Sequence, residues 1–124
     1  MKTVLITGGS RGIGKAIAIE LGKSFNVAVG YSSSKEDGEE VVEEIMKSNG
    51  TATAVEINVT STESVENAFV AIEKEYGGID VLVNNAGIAK DNILPRLKED
   101  EWDEVINTNL TGSFRTSQRA IKHM

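Results

Sequence analysis

The sequence contains no cysteine and only one histidine, His123. Without thiols the chain cannot form disulfides, thiolate metal sites or a cysteine nucleophile. A lone histidine also excludes metal sites built from several histidines. These absences exclude several common kinds of catalytic and metal centre before any motif is considered.

Basic residues and long apolar runs are also scarce. The 13 Lys and Arg residues are outnumbered by 19 Asp and Glu residues, which gives a net charge of −6, whereas a nucleic-acid surface needs a basic excess. The apolar runs are much shorter than the roughly 18 residues that a membrane span requires. The first residues lack the length and the cleavage site of a signal peptide. We therefore expect a soluble cytoplasmic protein with no nucleic-acid and no membrane partner.

Short apolar runs alternate with longer amphipathic segments along the chain. The runs at 4–6, 27–29, 55–59 and 79–83 predict four strands, and a helical pattern follows each of them. This alternation is typical of a parallel sheet covered by helices, and right-handed crossovers most simply give four such strands the order 3-2-1-4. We therefore predict an α/β fold with a Rossmann-like, doubly wound parallel sheet.

Local signals indicate some of the helix boundaries. Thr60 and Glu63 have the spacing of a capping box, which predicts the start of the third helix, and Gly77 follows the last periodic residue of that helix. After the fourth strand, helical periodicity resumes near Glu99 and continues as two helices that meet near Asn107.

A glycine-rich segment links the first strand to the first helix. Gly8 permits a tight turn, Gly12 lets the backbone approach a pyrophosphate, and Gly14 lets the helix lie close to the strands. The free N–H groups at the start of the helix can then bind the anion. Because a strand precedes the segment and a helix follows it, dinucleotide binding is favoured over a purely structural turn. The predicted cofactor-binding residues of this segment are Gly8, Gly9, Ser10, Arg11, Gly12, Ile13 and Gly14.

The predicted strand order places a second loop beside this turn. The chain reverses direction between strands one and four, and ligands of open α/β sheets bind at such a switch point. The loops at 8–14 and 84–87 follow these two strands, so both should border one crevice.

The two loops together resemble the short-chain dehydrogenase/reductase family. Its fingerprint is Thr-Gly-x3-Gly-x-Gly after the first strand and Asn-Asn-Ala-Gly after the fourth, and both patterns occur here, at 7–14 and 84–87. The resemblance implies that Asn85, Ala86 and Gly87 contact the cofactor. For Asn84, a structural role and a binding role remain equally open. The resemblance further implies contact with the adenine ring by Asn58 and Val59.

The end of the second strand favours NADP(H) as the cofactor. NAD-binding folds place an acidic residue there to hold the ribose 2′-OH, whereas a base meets the 2′-phosphate of NADP. Here the second strand ends in residues 30–35, which contain no acidic residue, and the first acid after them is Glu36. Arg11 can pair with the phosphate, and Ser32 and Ser33 can donate hydrogen bonds to it. The alternative for Arg11 is a solvated surface base.

The segment 90–112 looks most like the 3-oxoacyl-[acyl carrier protein] reductases of fatty-acid synthesis. It carries Asp91-Asn92, Arg96, Trp102-Asp103 and Thr108-Asn109-Leu110, although Pro95 replaces a usual apolar residue. This resemblance implies NADPH-dependent reduction of acyl carrier protein thioesters by a homo-oligomer. It also implies a catalytic role for Asn109, which would hold a water of the proton relay. The alternative is that Asn109 only interrupts a helix.

The resemblance covers only the first half of such a reductase. Complete members continue to a fifth strand with a substrate-binding Ser and to a Tyr-x3-Lys helix, which are not found here. Tyr31 and Lys35 match that spacing formally, but they follow the second strand. We therefore expect residues 1–124 to form one NADP-binding domain that is incomplete at its C-terminus, truncated before the fifth strand and inactive alone. The last helix should expose Leu110, Phe114 or Ile121.

Two other interpretations stay open. In the first, the complete protein is another short-chain reductase that acts on sugars, steroids or small ketones, because the missing half determines the substrate. In the second, the chain is a non-catalytic fragment that folds or self-associates and binds nucleotide weakly.

Overall fold

A computed structural model describes all residues from 1 to 124. Its four strands form one parallel sheet in the order β3-β2-β1-β4, which confirms the predicted order. A π-helical turn at 107–111 joins the last two α-helices. None of the helices has the length and the apolar character that a membrane span requires. The elements are β1 (Thr3–Ile6), α1 (Gly12–Leu21), β2 (Asn26–Tyr31), α2 (Lys35–Lys47), β3 (Thr51–Glu56), α3 (Thr62–Tyr76), β4 (Val81–Val83), α4 (Glu99–Ile106) and α5 (Gly112–Ala120).

The sheet carries a separate hydrophobic core on each face. Alternate side chains of a strand point to opposite faces, so Val4 and Ile6 pack on the face covered by α1 and α2 while Leu5 packs on the other. That second face is covered by α3 and α5, with Phe69 and Ala120 in its core. Burial on both faces explains why β1 and β2 read as continuous apolar runs.

Two predicted boundaries are wrong. Strand β3 ends at Glu56, before the end of its apolar run. The N-cap of α3 is Ser61, whose Oγ accepts the N–H of Ser64 at 3.1 Å. The Thr60 hydroxyl instead faces Asn58, to whose Oδ1 it donates at 2.6 Å.

An ionic network joins α5 to α3 on the covered face. Arg119 donates from Nε to Glu66 at 2.5 Å and from its two terminal nitrogens to the Glu73 carboxylate at 3.1 and 2.9 Å. Its guanidinium also lies 5.2 Å from the centre of the Phe69 ring. The hydrogen bonds from Arg119 lower the pKa of Glu73, and His123 adds to this effect.

The Glu73→Gln variant should lose part of the acid sensitivity of the fold. Because the pKa of Glu73 is lower in the folded state than its ordinary value of 4.5, its contribution to stability is present above that value and is lost as the pH falls through the folded pKa. At pH 7 we expect Glu73→Gln to reduce the free energy of unfolding by about 1.5 kcal/mol, with a shallower decline towards acid. Urea unfolding between pH 7 and pH 3 measures both effects.

Glu75→Gln is the matched control, since Glu75 lies on the same helix and is exposed. It should follow the wild-type pH profile. Identical profiles for the Glu73→Gln variant and the wild-type chain would contradict the assignment.

Candidate functional site

A cleft of about 690 Å³ opens where the strands end at their carboxyl edge. Its walls are formed by the loops after all four strands and by one side of the helical segment that follows. This is the switch point at which open α/β sheets bind ligands. The lining residues are Gly8, Ser10, Arg11, Ser32, Ser33, Ile57, Asn58, Val59, Thr60, Asn85, Ala86, Gly87, Ile88, Glu104, Asn107 and Thr108.

The turn between β1 and α1 presents a row of free hydrogen-bond donors. The backbone N–H groups of residues 10 to 14 donate to no acceptor within the chain, and α1 has no side-chain N-cap. Gly8 and Gly12 adopt φ angles of +64° and +55°, which glycine tolerates best. Free N–H groups and the positive end of the helix dipole together favour an anion here.

Not every predicted residue of this turn lines the cleft. Gly8, Ser10 and Arg11 do. Gly9 instead donates its N–H to the Gly30 carbonyl at 2.8 Å, and the Ile13 side chain is 74% exposed. The other two predicted residues, Gly12 and Gly14, do not line it either.

Gly14 lies where the two loops touch. A Cβ atom there would be 2.2 Å from the Gly8 carbonyl oxygen and 2.4 Å from Nδ2 of Asn85. The amide of Asn85 itself donates to that same Gly8 oxygen at 2.9 Å. The absence of a side chain at Gly14 therefore lets the glycine-rich turn and the loop after β4 pack directly together.

Thr7 also holds the two loops together, a role that was not among the predictions from the sequence. Its buried Oγ1 accepts the N–H groups of Asn85 at 3.1 Å and Ala86 at 3.0 Å, and lies 3.4 Å from the Val83 carbonyl. A polar side chain ending a buried apolar run is the sequence signal that could have revealed it, because such a group needs partners.

The remaining predicted cofactor contacts also lie in the cleft wall. Asn58 and Val59 belong to the loop after β3, and Asn85 with Ala86 and Gly87 to the loop after β4. The Asn58 oxygen accepts from the backbone N–H of Thr60 at 3.0 Å, so only its amide nitrogen is left for a ligand. Helix α5 supports this wall, because Nη1 of Arg115 donates to the Val59 carbonyl at 3.0 Å.

Asn109, in the π-helical turn, uses both polar ends of its side chain on one backbone unit. Its Oδ1 accepts the Ile88 N–H at 2.8 Å, and its Nδ2 donates to the Ile88 carbonyl at 2.9 Å. The side chain therefore fixes the loop after β4. A π-turn widens the helix locally, which is common at functional sites.

Asn84 points away from the cleft. Its Oδ1 accepts from Thr116 at 2.5 Å, and its Nδ2 donates to Ser117 at 3.0 Å. Both partners lie on α5, so this geometry supports a structural role for Asn84.

Tyr31 and Lys35 do not form a catalytic pair in this structure. Tyr31 is buried, and its ring contacts the Gly38 position on α2. The Lys35 ammonium lies 3.7 Å from Glu39. The formal Tyr-x3-Lys match is therefore explained by packing and by an ordinary surface pair.

The donor set of the cleft fits a phosphate-bearing dinucleotide. The free N–H groups of the turn suit a diphosphate, while Arg11, Ser32 and Ser33 add one cation and two hydroxyls without hydrogen-bond partners in the chain. The cleft also has about the volume of a small-molecule site.

Comparison with known proteins identifies the family. Residues 2–124 match the family model described as short chain dehydrogenase. The chain is 48% identical over 124 residues to the 3-oxoacyl-[acyl-carrier-protein] reductase FabG of Staphylococcus aureus, covering 99% of this chain and 50% of that one. It is 46% identical over 123 residues to the FabG of Vibrio cholerae, covering 99% of this chain and 49% of that protein.

Comparison with solved structures points to the same family. A double mutant of a Serratia marcescens short-chain dehydrogenase/reductase superposes with a TM-score of 0.94 at 31% identity, covering 99% of this chain and 51% of the other. The chain thus spans about half the length of the curated relatives it matches. With its sheet order, its two cleft loops and a family match along nearly its whole length, the chain belongs to the short-chain dehydrogenase family.

Proposed function

We propose that this chain is the cofactor-binding half of an NADPH-dependent reductase that acts on the 3-oxo group of acyl carrier protein thioesters. The observation that carries the proposal is the cleft between the β1–α1 turn and the loop after β4, together with the free N–H groups of residues 10 to 14 on that turn. The substrate class rests on the names of the relatives, which are 46–48% identical to this chain.

Each wall of the cleft has a distinct part in the proposed binding. The N–H groups at the start of α1 bind the diphosphate, and Arg11 with Ser32 and Ser33 binds the 2′-phosphate. Asn58 and Val59 contact the adenine ring. Bound NADPH supplies the hydride for the carbonyl carbon of the substrate. The loop formed by Asn85, Ala86 and Gly87 borders the cofactor on the other side.

In this proposal Asn109 is a positioning residue for the loop after β4. Its hold on the Ile88 backbone fixes the loop that borders the cofactor. Both polar ends of the Asn109 side chain already bond to Ile88, and Oγ of Ser113 donates to the Asn109 backbone carbonyl at 3.2 Å. A water of the proton relay would share one of these groups. We expect no reductase activity from these 124 residues alone, since no tyrosine lines the cleft to donate the proton.

Self-association is part of the proposal. Leu110, Phe114 and Ile121 are 66, 60 and 69% exposed, as expected from the sequence. Apolar side chains of this size on neighbouring turns favour burial against another protein surface, and a second copy of the chain is the partner that a homo-oligomer supplies. Cytoplasmic location stays a prediction.

Cofactor titration tests the proposal. We expect this chain to bind NADPH about tenfold more tightly than NADH, and the Arg11→Met variant to lose that preference, because a charged hydrogen-bond partner of the 2′-phosphate is removed. Nicotinamide fluorescence measures both affinities. Lys15→Met, a matched loss of charge on α1 at a residue that pairs with Glu44, should keep the preference. Equal affinity of the wild-type chain for NADPH and NADH would contradict the role of Arg11.

A further inference from the structure

A carboxylate lies beside the base of the proposed 2′-phosphate subsite. Oδ2 of Asp37 is 4.0 Å from Nε of Arg11, and Arg11 lines the cleft. Asp37 belongs to the first turn of α2, where its backbone N–H donates to Oγ of the N-cap residue Ser34 at 3.2 Å. The carboxylate is therefore attached to an ordered helix start at the rim of the cleft.

No second base offsets this carboxylate. Arg11 is the only basic residue that lines the cleft. The ammonium of Lys35 lies 3.7 Å from Glu39, and that of Lys15 lies 3.7 Å from Glu44. The positive charge offered to a ligand at this rim is thus one guanidinium, already shared with Asp37.

The 2′ substituents of the two nicotinamide cofactors respond oppositely to a carboxylate. A phosphate monoester carries nearly two negative charges at neutral pH, so Asp37 repels it and competes with it for Arg11. A ribose 2′-OH is neutral and can donate a hydrogen bond to a carboxylate, which is how NAD-binding folds hold it.

We infer that Asp37 is a specificity-determining residue, which weakens NADPH binding and narrows the difference in affinity between NADPH and NADH. The inference rests on the proposed function, because it requires the 2′-phosphate to lie near Arg11. The sequence does not reveal this pairing, because Asp37 follows the end of β2 by six residues and only the fold brings it back to the glycine-rich turn.

The Asp37→Asn variant tests this inference, because asparagine keeps the backbone bond to Ser34 and nearly the same side-chain size. We expect the NADPH dissociation constant to fall about fivefold, while the NADH constant does not fall. The gain should shrink in about 1 M salt, which screens exposed charges. Fluorescence titration with each nucleotide, at low and high salt, gives these values.

Glu43→Gln is the matched control. It removes the same charge six residues further along α2, where the rotation of the helix places it on a different face, and it should leave both constants unchanged. An equal gain in NADPH affinity in both variants would assign the effect to net charge and overturn the inference. Unchanged NADPH binding in Asp37→Asn would also overturn it. If neither nucleotide binds the wild-type chain, the proposed function itself fails.

Discussion

The Gly14→Ala variant is expected to melt about 10 °C below the wild-type chain, as a loss of about 3 kcal/mol implies for a domain of this size. Its methyl group would lie 2.2 Å from the Gly8 carbonyl oxygen and 2.4 Å from Nδ2 of Asn85. The nearer neighbour is backbone of the same turn, so α1 must move away from Gly8, and the Asn85 side chain on the other loop must shift as well. NADPH binding should therefore be lost together with stability, because Gly8 and Asn85 both line the cleft.

Gly77→Ala provides the control for adding a methyl group to a glycine. Gly77 has a φ of +86° with open space around its Cβ position, so only backbone strain opposes the change, at a cost of about 1 kcal/mol. Thermal melts and NADPH titration of both variants separate the steric effect at Gly14 from the backbone strain at Gly77. A Gly14→Ala variant that melts and binds NADPH like the wild-type chain would show that the loops do not pack as described.

The Thr7→Val variant is expected to lose about 3 kcal/mol in the free energy of unfolding. Valine has the shape of threonine, but it leaves the N–H groups of Asn85 and Ala86 without their acceptor. Each unsatisfied donor of this kind costs about 1–3 kcal/mol. Because the freed loop borders the cleft, NADPH affinity should fall as well. Urea unfolding and fluorescence titration measure the two effects.

Thr7→Ser separates the hydroxyl from the methyl group. Serine keeps the acceptor and removes one buried methyl, which should cost about 1 kcal/mol and leave NADPH affinity close to that of the wild-type chain. Equal losses of stability in Thr7→Val and Thr7→Ser would mean that packing, and not the two hydrogen bonds, is what Thr7 contributes.

The order of the sheet could be predicted because apolar runs and crossover handedness leave few arrangements for four strands. That order alone brings the loops at 8–14 and 84–87 to one crevice. The spacing of glycines indicated a close approach at Gly14, and the structure shows which atoms meet there: the Gly8 carbonyl and the Asn85 amide.

Details set by side-chain competition could not be predicted. Thr60 and Ser61 are both good N-cap residues, and only the structure shows that the Asn58 oxygen takes the hydroxyl of Thr60 and leaves Ser61 to cap α3. The two hydrogen bonds between the Asn109 side chain and the Ile88 backbone join residues 21 positions apart. No local periodicity reports such a contact.

We expect the free N–H groups at the start of α1 to bind the diphosphate of the cofactor. Titrating isotope-labelled chain with NADPH while following backbone amide resonances by NMR tests it directly. We expect the resonances of Gly12, Ile13 and Gly14 to shift with the same saturation curve as the nicotinamide fluorescence. Resonances of these three residues that stay in place while NADPH saturates the chain would contradict it.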